Sequence, residues 1–201
     1  MLERLACNNK RLDEELNIQL AEFICEEGNL LYVEEVIEGV KGKDRAVAND
    51  CIKVLYEIGE RKPELIQEYV SVFLSLIKSK NNRLVWGAMT ALACIVPWKA
   101  NEIYNNIDVV KMAYQEGSVI TVDQSISVFA KLCKSDKEYE KTIFPFLMEH
   151  IRTCRPKEVA QHAERIRVCI NERNMQEYRD VLEERKVHLT ESQWKRVKKL
   201  L

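Results

Sequence analysis

Breakers are scarce in this chain: 201 residues contain four prolines and six glycines. Long stretches therefore run uninterrupted, which favours helices over a strand-and-turn architecture. No apolar run approaches the roughly 18 residues of a membrane span, and Met1-Leu2-Glu3-Arg4-Leu5 lacks the apolar core of a signal peptide. Net charge is also missing, with 31 Lys and Arg against 32 Asp and Glu. That balance supplies no global field to attract nucleic acid or an anionic membrane. No CxxC pair occurs, and the seven cysteines (7, 25, 51, 94, 133, 154, 169) are odd in number and widely spread. Most lie in apolar helical patterns, so free buried thiols in a reducing cytoplasm are expected. Catalytic signatures are absent as well: no GxSxG, no Gly-rich phosphate loop and no HExxH. The expectation is of no enzyme activity, no cofactor and no resident metal.

What is present is apolar material at helical spacing, 46% of the chain. Val47, Cys51, Val54, Leu55 and Ile58 form one stripe, and Ala48 and Ile52 begin a second. Gly59 follows at a position suited to a left-handed cap, and Pro63 opens a helix to about Lys78. Asn81 or Asn82 is placed to cap a helix from Leu84 to Val96, stopped by Pro97. That stretch is apolar nearly all round and must be covered on both flanks. Further helices are expected from Asn101 to Glu116, Ile120 to Lys134, Lys137 to Cys154, Pro156 to Asn171 and Met175 to Arg185. Ser135-x-x-Glu138 reads as a capping box, and Thr190-x-x-Gln193 starts a short terminal helix. Residues 13–27 and 29–40 make a first pair, punctuated by Gly28 and Gly39.

Shifting the chain by 38 lays Cys51, Val54, Leu55 and Ile58 on Met89, Leu92, Ala93 and Val96. A shift of 37 lays Met89, Leu92 and Ala93 on Ile126, Phe129 and Ala130, and a further 37 lays Ile126 and Phe129 on Ala163 and Ile166. Two helices per such period describe a helical solenoid. The units run roughly 13–40, 43–78, 81–116, 118–154 and 156–186, with a capping helix at 190–201, in a single domain 1–201. The segment Asn82-Arg83-Leu84-Val85-Trp86-Gly87-Ala88-Met89-Thr90-Ala91-Leu92 resembles the first helix of a HEAT repeat, and Arg45 to Leu55 is similar. The resemblance to the HEAT-like branch of the HEAT/armadillo superfamily implies an all-α, right-handed α-α superhelix of about five helix pairs plus a short C-terminal helix. It also implies a concave binding surface lined by the second helix of each pair. Carried onto this chain, that surface draws on Glu64, Gln67, Glu68 and Ser71, then Asn105, Asn106, Asp108 and Lys111, then Glu138, Lys141, His150 and Arg152.

Trp86 stands out among candidate contact residues, because Arg83 and Gly87 bring a guanidinium and bare backbone beside its indole. Trp98, in a turn after Pro97, is a second candidate. The nearest approach to a metal site is His150 with Cys154 and His162 with Cys169, read as ordinary helix-face residues. From Pro156 on, 11 Lys and Arg face 8 Asp and Glu, a surplus concentrated in Lys195, Arg196, Lys198 and Lys199. With Trp194, Val197 and Leu201 opposite, this segment reads as a closing cap. The function favoured is a non-enzymatic cytoplasmic scaffold or adaptor whose partner is another protein. Two other readings stay open. One is nucleic-acid binding or repair of the kind performed by HEAT-like alkylpurine DNA glycosylases. The other is a subunit of a larger assembly or a homo-oligomer, joined through apolar edges such as Leu2, Leu5, Leu12 or Leu200.

Overall fold

In a computed structural model, residues 1–11 and 13–201 are described, and no strand occurs among them. Leu12, one of the apolar edge residues named above, lies outside the described residues. Two compact units divide the chain, Met1–Ser125 and Ile126–Leu201.

The first unit contains α1 (Glu15–Glu27), α2 (Leu30–Lys41), α3 (Arg45–Arg61), α4 (Val70–Leu76), α5 (Asn82–Asn105) and α6 (Ile107–Glu116), and it takes in the start of α7 (Val119–Ser135). Helix α3 packs against α1, α2 and α5, and α4 covers another side of α5. Polar caps set the starts: Asn29 accepts from Leu31 N at 3.0 Å, Asp44 from Ala46 N at 2.8 Å and Asn81 from Arg83 N at 3.1 Å. Gly28 ends α1 in the left-handed region, φ 65°, where a side chain is strained.

Leu84, Val85, Gly87 to Ala93, Ile95 and Val96 are all buried, as a helix with no polar face requires. Four expectations are corrected. Gly59 is not a cap: it lies inside α3, and a Cβ there would come within 2.8 Å of Ile66 Cδ1 and 3.2 Å of Cys94 Cβ. Gly39 likewise lies inside α2. Pro97 does not stop its helix. It has no N–H for the preceding turn, yet α5 runs on to Asn105 through a local break at Lys99 (φ −125°, ψ 25°). Between Pro63 and Tyr69 the chain forms two 3₁₀ turns rather than α-helix, and only Val70–Leu76 is regular.

The second unit holds the rest of α7, then α8 (Lys137–Thr153), α9 (Pro156–Ile166), α10 (Met175–Arg185) and α11 (Glu191–Val197). Asp136, not Ser135, caps α8, accepting from Glu138 N at 2.7 Å, while the Ser135 hydroxyl donates back to Leu132 O. Asp136 has the extended backbone of an N-cap (φ −150°, ψ 141°), whereas Ser135 is still the last residue of α7. The Thr190 capping box forms as expected, with Gln193 N donating to Thr190 and Thr190 N to Gln193. Helix α11 packs on α9: Val197 is fully buried and Arg196 pairs with Glu164.

Of the proposed apolar edges, Leu5 is fully buried and Leu2 and Leu200 are half-buried, because short 3₁₀ turns fold both terminal segments inward.

Leu92 is fully buried in α5. Leu92→Asp should cost at least about 4 kcal/mol through an unpaired buried charge and abolish the cooperative thermal transition followed by circular dichroism. Gly87 faces Ile52, whose Cγ1 would lie 2.6 Å from a Cβ. Gly87→Val should therefore lower stability by about 1–3 kcal/mol, read as a lower urea midpoint with native helix content retained.

Candidate functional site

A charged seam crosses α1, α3 and α5 in the first unit. Helical spacing puts Asn49, Lys53, Glu57 and Arg61 on one side of α3. Lys53 Nζ lies 2.5 Å from Glu57 Oε1 and 3.4 Å from Glu14 Oε2 at the head of α1, and it sits 4.8 Å from the Tyr56 ring centre. Arg61 binds Glu57 and reaches Glu22 of α1 at 3.2 Å. From α5, Arg83 binds Glu14 and donates to Asn49 O, while Asn81 donates to Asn49 Oδ1 at 2.8 Å.

Trp86 lies at one side of this seam, half-buried, with its ring 5.5 Å from that of Tyr56 and the Arg83 guanidinium 5.9 Å from its centre. The grouping of Arg83 and Trp86 expected from the sequence is therefore present. Gly87 is not a bare patch beside them, since it is buried against Ile52 and Tyr56 where two helices approach closely.

Charges at this depth are costly unless paired. Lys53 and Glu57 side chains are only 9% and 11% exposed, so their pairing is obligatory. Burial pushes the Glu57 carboxyl up, but hydrogen bonds from Lys53 and Arg61 outweigh it and hold the group below its ordinary 4.5. Burial lowers the Lys53 ammonium, and its bonds to Glu57 and Tyr56 more than reverse that, so it stays charged.

The other candidate residues fall into separate places. Trp98 is half exposed in the segment where α5 breaks, next to Lys99, whose ammonium pairs with Glu68 at 2.8 Å. Asn105 is exposed at the end of α5, Asn106 donates to Glu102 O, and Lys111 is half-buried on α6. In the second unit Lys141 pairs with Glu138 on α8, and Arg152 reaches Glu184 of α10 at 3.3 Å. Lys141 lines an open cleft of about 400 Å³ with Glu140, Phe144, Pro145, Arg173 and Glu177. His150, expected on an open face, is buried.

Of the four residues considered as metal ligands, three converge. His150 Nε2 and His162 Nδ1 are 2.7 Å apart, and the Cys154 sulfur completes a group of donor atoms all within 4.8 Å of one another. Cys169 is elsewhere, buried, with its thiol donating to Ile166 O at 3.1 Å. No disulfide occurs among the described residues.

The sequence carries only half of the seam's signal. Lys53, Glu57 and Arg61 at i, i+4 and i+8 announce a ladder on one helix, whereas Glu14 and Glu22 join it only through packing. A carboxylate held low when folded contributes stability above its unfolded pKa that is lost as pH falls through the folded one. Stability of the wild type should therefore fall on acidification below about pH 4.5. Glu57→Gln should lose roughly 1–3 kcal/mol at pH 7 and show a flatter decline between pH 5 and pH 3, measured by urea unfolding at each pH.

No protein-family model matches this sequence, and no curated protein matches it. Solved structures do. A designed armadillo repeat protein in complex with the peptide (KR)4 superposes with a TM-score of 0.66 at 15% identity, covering 93% of this chain and 89% of that one. A computationally designed armadillo repeat protein for modular peptide recognition gives 0.59 at 13%, covering 92% and 90%. A structure concerned with the interaction between cadherin and β-catenin gives 0.60 at 14%, covering 98% of this chain and 43% of that one. No helix among the described residues is long and apolar enough to cross a membrane. At these identities the likeness is one of fold: the chain is an all-α helical-repeat solenoid of the armadillo type.

Proposed function

We propose that this chain is a protein-binding scaffold that uses the surface of its helical repeats to hold a partner and performs no catalysis of its own. The observation that carries the reading is the seam. Three alternate helices, α1, α3 and α5, bring their charges into one row beside the Arg83–Trp86–Tyr56 group. Arg, Trp and Tyr are the residue types that concentrate binding energy at interfaces. The mixed signs along its more exposed margin, Glu14 and Glu22 with Arg61 and Arg83, suit a polypeptide segment, which carries groups of both signs, better than a polyanion. Similar folds designed for peptide recognition support the same reading.

Arg83 and Trp86 are the proposed centre of the contact set, and Trp98, Glu68, Asn105, Asn106 and Lys111 extend it within the first unit. Lys141 and Arg152 offer separate contacts on the second. The partner is another protein.

Affinity capture from the native host's lysate, with and without nuclease, tests this. The expected result is a protein retained through nuclease treatment, with affinity reduced at least tenfold by Trp86→Ala and by Arg83→Glu, each about 1.4 kcal/mol or more. Both variants should keep the wild-type circular dichroism spectrum. Retention of nuclease-sensitive material alone would overturn the proposal in favour of nucleic-acid binding.

A further inference from the structure

The second unit contains a group of side chains that partner binding does not use. His150 projects from the last turn of α8, Cys154 follows one turn later as that helix ends, and His162 comes from α9. His162 is fully buried and His150 nearly so, while Cys154 is half-buried. We propose that His150 Nε2, His162 Nδ1 and the Cys154 thiolate bind a zinc-class divalent cation, with a water molecule as fourth ligand.

Two imidazole nitrogens and a sulfur form the donor set that zinc prefers, with Zn–N of about 2.0–2.1 Å and Zn–S of about 2.3 Å. Tetrahedral coordination at those lengths separates two nitrogens by about 3.3 Å. Here they face each other at 2.7 Å, with the rings tilted by 46°. A small separation of two side chains therefore exchanges a hydrogen bond for a shared cation. The Cys154 thiol, which donates weakly to Ile151 O at 3.7 Å, places its sulfur in the same group of donor atoms, all within 4.8 Å of one another.

The frame around the donors is rigid. Cys154 N donates to His150 O at 2.8 Å, Arg185 donates to Cys154 O at 2.7 Å and to Arg152 O, and Tyr178 Oη donates to Ala163 O at 2.9 Å beside His162. Such prior ordering reduces the entropy lost on binding. The charges bearing on the site are mixed. Burial pushes the free Cys154 thiol up to about 11, and Glu158, one turn before His162, adds to that while favouring a cation. Arg185 and Arg155 act the other way, favouring the thiolate and opposing a bare cation. A coordinating cation itself displaces the thiol proton. Arg185 Nε is buried with no hydrogen bond, a donor beside the turn that a thiolate would suit. On binding, the cysteine proton leaves to solvent, and the proton bridging the two ring nitrogens is exchanged through solvent to the far nitrogen of the ring that carried it (His150 Nδ1 or His162 Nε2), which frees both coordinating nitrogens. The partial exposure of Cys154 gives water access to the fourth position. A cation there would tie α8 to α9 across the Cys154–Arg155 turn.

The untagged full chain, stripped with a chelator, is titrated with cobalt(II) as a spectroscopic stand-in for zinc. The expected result is one cobalt per chain, intense tetrahedral ligand-field bands and a thiolate-to-cobalt charge-transfer band, all bleached by one equivalent of zinc. Cys154→Ser should remove the charge-transfer band with helix content unchanged, and zinc should raise the melting temperature of the wild type but not of this variant. His162→Gln should lower cobalt occupancy. Because His162 is fully buried, that variant is read only if its circular dichroism is native, and Cys154→Ser otherwise carries the test. Absence of cobalt uptake at tenfold excess over protein would overturn the proposal. So would a charge-transfer band that survives in Cys154→Ser, since the ligand would then be one of the other six of the seven thiols.

Discussion

The Leu84–Val96 stretch of α5 has no polar face, and the first unit is arranged around covering it. A helix that is apolar all round is stable only when neighbours remove every side from water. Helix α3 lies along one side and α4 along another. The approach of α3 is close because Gly59 and Gly87 leave no side chain between the axes, so Cys94 meets the first and Ile52 the second. A bulkier residue at either position would push the helices apart and reopen the surface that the arrangement exists to bury.

That closeness has a consequence for the charged groups. With α1, α3 and α5 packed side by side, polar residues at the margin of the apolar stripe are drawn partly out of water. Lys53 and Glu57 are the clearest case. Once desolvated, each needs a partner, and the partners come from adjacent helices: Glu14 and Glu22 from α1, Arg83 from α5. The seam is thus both an outcome of repeat stacking and a record of its register, because a slip of one helical turn would leave a buried charge alone. The same packing brings Tyr56 and Trp86 together beside it, which is why the proposed contact surface and the stability of the first unit share residues. In the second unit an equivalent constraint acts on His150 and His162, whose burial forces their ring nitrogens to satisfy one another.

Much of the fold was legible because helix starts and apolar stripes are local. Asn81, the Thr190–Gln193 box and Pro156 act through bonds within a few residues, and each is found where its chemistry places it. The misplacements share one cause. Gly59, Gly39 and Pro97 have the local chemistry of punctuation, but tertiary packing outweighs the cost of a glycine or proline inside a helix, which is on the order of 1–3 kcal/mol. The Pro63–Tyr69 segment failed in the opposite direction, since good helical spacing did not prevent 3₁₀ turns against α3 and α5.

The sequence by itself determined that the chain is all-helical, where most helices begin, and that Arg83 lies near Trp86, since they are one turn apart on a single helix. Tertiary structure alone decided which charges meet. Glu14 and Arg83 are far apart in the chain, and nothing local to either specifies the other. The same holds for His150 and His162, whose convergence depends on the direction the chain takes at the Cys154–Arg155 turn. Local patterns are read from bonds between neighbours along the chain, whereas these contacts arise from the packing of separate helices, and packing is set by the whole apolar surface at once.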